Sequence, residues 1–427
     1  FTKGEFWDTK NPEKKYQGEI EIADGGAITL TLNHTVDFFE NLFEDLQRIV
    51  GSVRDFGYVT LDGCRISSDS RSGTGQALTI LKASSMLCGV LLEAEETLQY
   101  SSMSFSIENL EEWVGINSLE QNHDESGLIA VKLLDQAPVS IDLEGGWSLK
   151  IETLKSFRSP SKYEVKIKQH TVFKICPTQP CEWEEIQSMA HNLTRFVCFG
   201  LGDIYCIKDV NLTSPDVRRV DKRNLNYQVP LKIFYQSLPF IKSVGIRKGH
   251  NHVFYFSDIS ENIATYLNNW LAVCEDCKPA LWLFFSYYSS SYAHRDAEYL
   301  ALIRGLETLG SEGVDPKKYP IEEYSKLKNT LIAACPEVDK PWLKETLHYA
   351  NTPNLRTKLD HLFQPFVEIF GGKENVTEML KLMVNTRNYN IHYDDRLKQK
   401  GAKGKELFGL ILRSELLFQL TLLIRVG

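Results

Sequence analysis

The chain has 427 residues, with 48 Lys and Arg against 56 Asp and Glu, a formal charge of −8. Hydrophobic residues make up 43% and charged residues 24%, a balance that excludes a globally basic coat protein for nucleic acid and a disordered tail. The length suggests two or three domains, each able to bury a core.

The chain opens at Phe1 rather than Met, with no secretory signal pattern after it, and reads as trimmed or processed. Period-two runs dominate the first half. Residues 18–32 place Ile20 and Ile22, then Ile28, Leu30 and Leu32, on alternate positions around Asp24-Gly25-Gly26, which is a hairpin signal. Similar runs follow at 58–63, 100–107, 128–134, 139–154 and 163–175. Antiparallel, sandwich-like β structure is the economical reading. A helix fits 181–199, where Trp183, Ile186, Ala190, Leu193 and Val197 recur at helical spacing. Residues 252–257 read again as strand.

From about 259 the pattern becomes helical. The spacing predicts helices over 259–273, 293–309, 321–334, 339–349, 354–370, 374–387 and 405–425, with Pro320, Pro336, Pro353 and Gly371–Gly372 between several of them. The stretch 407–426 is the most apolar, yet it carries Arg413, Glu415, Gln419 and Arg425. That composition reads as a buried amphipathic helix and not a membrane span. The expected organisation is α+β: a β-rich domain over 1–258, a helical linker over 259–290 and an all-α bundle over 291–427.

Nine cysteines are too few for a disulfide scaffold, and odd in number, which points to reduced thiols and a cytoplasmic setting. The sequons at Asn33, Asn192, Asn211 and Asn375 are then chance. Cys274 and Cys277 form CxxC, half of a zinc site. Cys176, Cys181, Cys198 and Cys206 are too scattered to complete it at standard spacing, so small buried thiols are the simpler reading. His250-Asn251-His252 reads as a turn and strand entry. No phosphate-cradling GxxxxGK[ST] loop and no GxSxG elbow occurs.

The tightest chemical cluster is TRNYNIHYDD at 386–395, followed by RLKQKGAKGK at 396–405. Over 387–405 six Lys or Arg face two Asp, a local charge of 6 − 2 = +4. Arg396, Lys398, Lys400, Lys403 and Lys405 are the candidates for holding phosphates. His392 can move a proton near neutral pH, and Arg387 can clasp a phosphate and stabilise charge that develops on it. A solvated basic face beside a lone His is the competing reading.

The run Arg387-Asn388-Tyr389-Asn390-Ile391-His392 matches the Arg-x4-to-6-His signature of HEPN domains. The stretches at 297–309 and 347–363 and the long last helix resemble the HEPN domain of ApeA-type bacterial anti-phage defence proteins. GEFW at 4–7 and the run 16–32 resemble the opening of the ApeA N-terminal domain. The resemblance implies a metal-independent endoribonuclease toxin, with no catalytic cofactor, in which a ribose 2′-OH attacks the adjacent phosphate. His392 would transfer the proton, Arg387 would bind the phosphate and Asn388 would position the pair. Glu307, on the first helix of that domain, is a candidate supporting residue or a merely solvated one. The β-rich domain would sense infection, through a phage-encoded protein trigger, and restrain the nuclease until abortive infection is required. A non-catalytic RNA- or nucleotide-binding scaffold is the alternative.

Geometry adds a constraint. Five residues along a helix turn through about 500°, leaving Arg387 and His392 about 140° out of phase. Either the helix breaks at Asn388–Asn390, or two copies of the motif converge across an interface; the resemblance to HEPN domains, with their paired sites, implies a homodimer with a composite site.

Overall fold

The structure is a computed structural model. It describes residues 1–33, 47–71, 77–123, 127, 129–220, 226–237, 252–289, 294–312, 314, 315, 317–393 and 395–427. Two compact units divide the chain, Phe1–Asn268 and Asn269–Gly427.

The first unit begins with seven strands: β1 (Thr2–Asp8), β2 (Tyr16–Ile22), β3 (Ile28–Leu32), β4 (Gln47–Val53), β5 (Gly57–Arg71), β6 (Ala77–Ala83) and β7 (Ser85–Cys88). β1 to β6 close into an antiparallel barrel in the order β1-β2-β3-β6-β5-β4 and back to β1. Alternation puts Phe6, Ile20, Leu30, Leu32, Ile49, Val59, Leu61 and Leu81 inside it. Closure depends on the 15 residues of β5. Its first half pairs with β4 as far as Cys64, and its second half pairs with β6 from Arg65 onward. Gly63 sits at the division with φ 65°. A Cβ there would lie 2.4 Å from Ser84 Oγ, so glycine is what lets Ser84 approach this closely in the left-handed conformation.

Past Ser84 the chain leaves the barrel as β7, and the sheet runs on through β17 (Leu231–Tyr235), β14 (Ile207–Thr213), β8 (Ser102–Ile107), β13 (Glu164–Pro177), β12 (Trp147–Ser161) and β11 (Val139–Leu143). Two small hairpins stand apart, β9 (Leu119–His123) with β10 (Ile129–Leu133) and β15 (Arg218–Val220) with β16 (Asn226–Gln228). Helix α2 (Trp183–Leu201) buries Ile186, Ala190, Leu193, Phe196 and Val197 and packs on β8 and β13 beside the short α1 (Leu110–Val114).

Residues 252–257 are not the strand that their alternation suggested. Helix α3 (Phe256–Ile259) begins there, and the Asp258 carboxylate accepts from the Tyr255 N–H at 2.7 Å to cap it. The aromatic residues of this stretch serve a core instead of a ladder: Phe254 and Phe256 both set their rings edge-on to Trp113. His250 and Asn251 lie outside the described residues.

Helix α4 (Ile263–Asp276) crosses from the first unit into the second. The second unit continues with α5 (Lys278–Ser289), α6 (Arg295–Glu312), α7 (Ile321–Ala334), α8 (Lys340–Tyr349), α9 (Leu355–Phe363), α10 (Lys373–His392) and α11 (Gly404–Val426). α6 is the central helix, burying Tyr299, Leu302, Ile303, Leu306 and Leu309 against α5, α9, α10 and α11. Gly305 lets α11 approach, because a Cβ there would meet the Phe418 ring at 2.6 Å. The Phe418 ring stacks on Phe284 with centroids 4.5 Å apart. Among the described residues α11 alone is long and apolar enough to cross a membrane. Its inner face packs on α6, and at mid-helix Glu415 accepts hydrogen bonds from the Tyr287 and Tyr288 hydroxyls, each 2.9 Å away.

Candidate active site

Helix α10 runs unbroken from Lys373 to His392, so Arg387, Asn388 and His392 all lie in its last two turns. The helix ends at Tyr393, in the left-handed region at φ 49°, whose N–H donates to Tyr389 O at 2.7 Å. The break at Asn388–Asn390 is therefore excluded as a way of bringing Arg387 and His392 onto one face. Within one chain the two side chains project in different directions from a regular helix.

Arg387 turns toward α6. Its Nη2 lies 3.7 Å from Glu307 Oε2, and its Nη1 donates to Asn388 Oδ1 at 3.1 Å. The other Glu307 oxygen lies 3.5 Å from Lys358 Nζ on α9. One carboxylate thus sits between two cations from two helices, with all three side chains partly buried. Asn388 is partly buried beside Arg387, while His392 is exposed at the helix end.

Three buried groups fix α10 in place. Tyr299, fully buried on α6, donates its hydroxyl to Met383 O at 2.7 Å. Burial raises that phenol well above its ordinary pKa, which keeps it a donor. Asn390 Nδ2 donates to Asp296 Oδ1 in the first turn of α6 at 3.4 Å. Thr386 Oγ1, wholly buried, accepts the Ala402 N–H at 2.9 Å. That last bond ties the basic segment after the helix back onto the helix itself.

The basic side chains Arg396, Lys398, Lys400, Lys403 and Lys405 are all exposed. Lys403 is the N-cap of α11 and Lys405 lies in its first turn. Lys403 Nζ lies 5.2 Å from the Tyr389 ring centre. A cation at a helix N-terminus is disfavoured by the helix dipole, whereas an anion is favoured there. Arg295 sets its guanidinium 5.0 Å from the ring centre of Phe408, on the same helix.

Sequence reasoning placed Glu307 on the facing helix but missed Lys358, Tyr299, Thr386 and Asp296. None carries a local signal, since each matters only through a partner at least 16 residues away.

The CxxC thiols take a different part. Cys277 is fully buried and lies within hydrogen-bonding reach of Arg425 Nη1 at 2.9 Å and Glu312 Oε2 at 3.5 Å. Burial pushes its thiol up to about 11. Cys274 is also buried. Among the described residues no group of three or more His, Cys, Asp or Glu side chains could hold a metal ion.

A β-barrel unit followed by a helical bundle, with Arg-Asn-x-x-x-His closing the last helix but one, defines a HEPN-bearing protein of two domains. Residues 2–270 match the family model described as ApeA N-terminal domain 1, and residues 300–427 match the Apea-like HEPN model. The chain belongs to the ApeA-like HEPN proteins of anti-phage defence. No curated protein and no solved structure matches it.

Proposed function

We propose that the chain is a metal-independent endoribonuclease toxin with Arg387, Asn388 and His392 at its catalytic centre. The observation that carries this reading is the complete motif at the exposed end of α10, with the Arg387 guanidinium gripped by Glu307 and five exposed cations following it.

In the chemistry we assign, neutral His392 accepts the proton of a ribose 2′-OH as that oxygen attacks the adjacent phosphorus. The bond to the 5′-oxygen breaks, and that oxygen leaves with a proton from water. The products are a 2′,3′-cyclic phosphate end and a 5′-hydroxyl end. Arg387 neutralises the charge that builds on the non-bridging oxygens, and Asn388 orients the Arg387 fork through its Oδ1. Arg396, Lys398, Lys400, Lys403 and Lys405 hold neighbouring phosphates.

The working form is a homodimer. On a continuous helix Arg387 and His392 diverge, so each site takes Arg387 from one copy and His392 from the other. The outer face of α11 offers the apolar seam: Phe408, Leu412 and Leu416 recur every four residues, with Ile424 further along, and all four are exposed. In the bacterial cytoplasm the β-rich unit restrains this nuclease until a phage-encoded protein triggers it, and RNA cleavage then halts growth before phage mature.

The test is RNA cleavage in EDTA by wild-type and His392→Ala protein, with product ends analysed. Cleavage by wild type alone, leaving cyclic phosphate, is the expected result. RNA binding without cleavage, even with phage lysate added, would make the domain a binding module. Equal cleavage by both proteins would withdraw His392.

A further inference from the structure

Strands β12 and β13 pair along nearly their whole length, from Trp147↔Pro177 to Ser161↔Glu164. Their inner ends belong to the sheet core, where Leu149, Ile151 and Phe173 are buried. Their outer halves form an exposed two-stranded arm. Tyr163 at its tip is 86% exposed, with Phe157 at 61% and Val165 at 59%.

The arm is basic in an acidic protein. Residues 153–170 carry Lys155, Arg158, Lys162, Lys166 and Lys168 against Glu164, so 5 − 1 = +4. Register decides how these charges are displayed. Arg158 faces Lys166 directly and Ser156 faces Lys168. Residues two apart on a strand share a face, so Arg158, Lys166 and Lys168 form one cationic patch. The opposite face carries Phe157↔Ile167. Like charges directly opposite each other destabilise a ladder. Lys166 is relieved by Glu164 at 2.8 Å, but among the described residues neither Arg158 nor Lys168 has an acidic partner. The fold gains nothing from this arrangement, whereas a polyanion would. Lys162 Nζ lies 5.1 Å from the Tyr163 ring centre, so the tip joins an aromatic face to a positive charge. That pairing suits a stacked base and its phosphate.

We propose that the β12–β13 arm is a second RNA-binding surface that grips single-stranded RNA through Arg158, Lys166 and Lys168 and stacks a base on Tyr163. This rests on the reading of the chain as an RNA-cleaving protein and adds a substrate contact made by the β-rich unit.

The test uses full-length protein carrying His392→Ala, so that bound RNA is not cut. The probe is a fluorescein-labelled single-stranded RNA oligonucleotide, read by anisotropy over a series of salt concentrations. Adding Arg158→Gln, Lys166→Gln and Lys168→Gln together should weaken binding by about tenfold or more. It should also lower the slope of log affinity against log salt by about two, as expected for three lost phosphate contacts. Tyr163→Ala should weaken binding by about fivefold or more with the slope unchanged. A matched triple away from the arm, Lys317→Gln with Lys326→Gln and Lys344→Gln, removes the same charge and should stay within about twofold of the parent. If the parent binds RNA and the arm triple binds equally well, or loses no more than the matched triple, the arm is not an RNA surface and the nuclease reading stands. Should the parent bind no RNA, both fall.

Discussion

The Glu307 carboxylate on α6 holds the Arg387 guanidinium on α10, Oε2 to Nη2, at 3.7 Å, while its other oxygen faces Lys358 Nζ at 3.5 Å. A carboxylate between two cations keeps the guanidinium fork aimed, for phosphate on the reading proposed above, without adding much to stability, because partly exposed ion pairs contribute about 1 kcal/mol or less. Glu307→Gln should therefore leave the melting temperature almost unchanged. Misplacing a charge-stabilising group by an ångström can cost about a hundredfold, so cleavage should fall by between about tenfold and a hundredfold. Arg387→Lys should fall at least as far, since it keeps the charge but loses the bidentate fork. A destabilisation of about 3 kcal/mol in Glu307→Gln, the scale of a broken buried pair, would make Glu307 a structural residue instead.

The proposed composite site has a sharper test than interface mutation alone. Arg387→Ala and His392→Ala proteins should each be inactive. Mixed after unfolding and refolding together, they form mixed dimers for about half of the population. Each mixed dimer regains one site with an intact Arg387 from one copy and an intact His392 from the other. About a quarter of wild-type cleavage should return. If both residues act from the same chain, no mixture restores any. Leu412→Asp with Leu416→Asp, on the exposed face of α11, should give a monomer by light scattering and abolish cleavage.

Much of this architecture was legible in the sequence because amphipathic spacing is local. The helical spacing of Ala297, Leu300, Ile303 and Leu306 marks α6 as a helix, and Ile303 and Leu306 lie on its buried face, whereas Ala297 is exposed. The periodicity ran out at residue 387, yet α10 continues to His392. Its last turn holds no apolar stripe and is secured by Asn390 bonding to Asp296, 94 residues away in sequence. Barrel closure was hidden for a similar reason. Alternation shows which residues face inward, but not that β5 changes partners at Gly63. At the site the motif itself was readable. The hold of Glu307 on Arg387 and Lys358 was not, because it exists only once three helices pack.

His191 on α2 should make the first unit sensitive to acid. Its ring lies 5.9 Å from that of Tyr235, and its Nε2 is buried without a hydrogen-bond partner among the described residues. Burial, helped by the nearby Arg195, pushes its pKa down to about 4 from 6.5. The unfolded chain takes up this proton below about pH 6.5, while the folded chain refuses it until about pH 4. Stability is therefore fully present above pH 6.5 and falls as the pH drops through that window, by up to about 3 kcal/mol. Urea midpoints measured between pH 4 and 7 should show the decline, and His191→Gln should flatten it. An equal decline in that variant would assign the acid sensitivity to other groups.

Thr386 should link stability to RNA binding without itself meeting RNA. Its hydroxyl is wholly buried, donates to Leu382 O at 2.7 Å and accepts the Ala402 N–H at 2.9 Å. Thr386→Val keeps the shape of the side chain but leaves the Ala402 N–H, also buried, without its acceptor. An unsatisfied buried group costs about 1–3 kcal/mol, and the segment carrying Arg396, Lys398 and Lys400 loses its tether to α10. No charge changes, so a purely electrostatic patch would bind RNA as before. We expect a lowered melting temperature together with RNA affinity weakened by about threefold to tenfold on the His392→Ala background, the order of 1 kcal/mol. Weakening at a constant salt slope would show that the cations still reach the phosphates but must first be ordered. Unchanged affinity despite the lost stability would mean that the basic segment needs no fixed position to hold RNA.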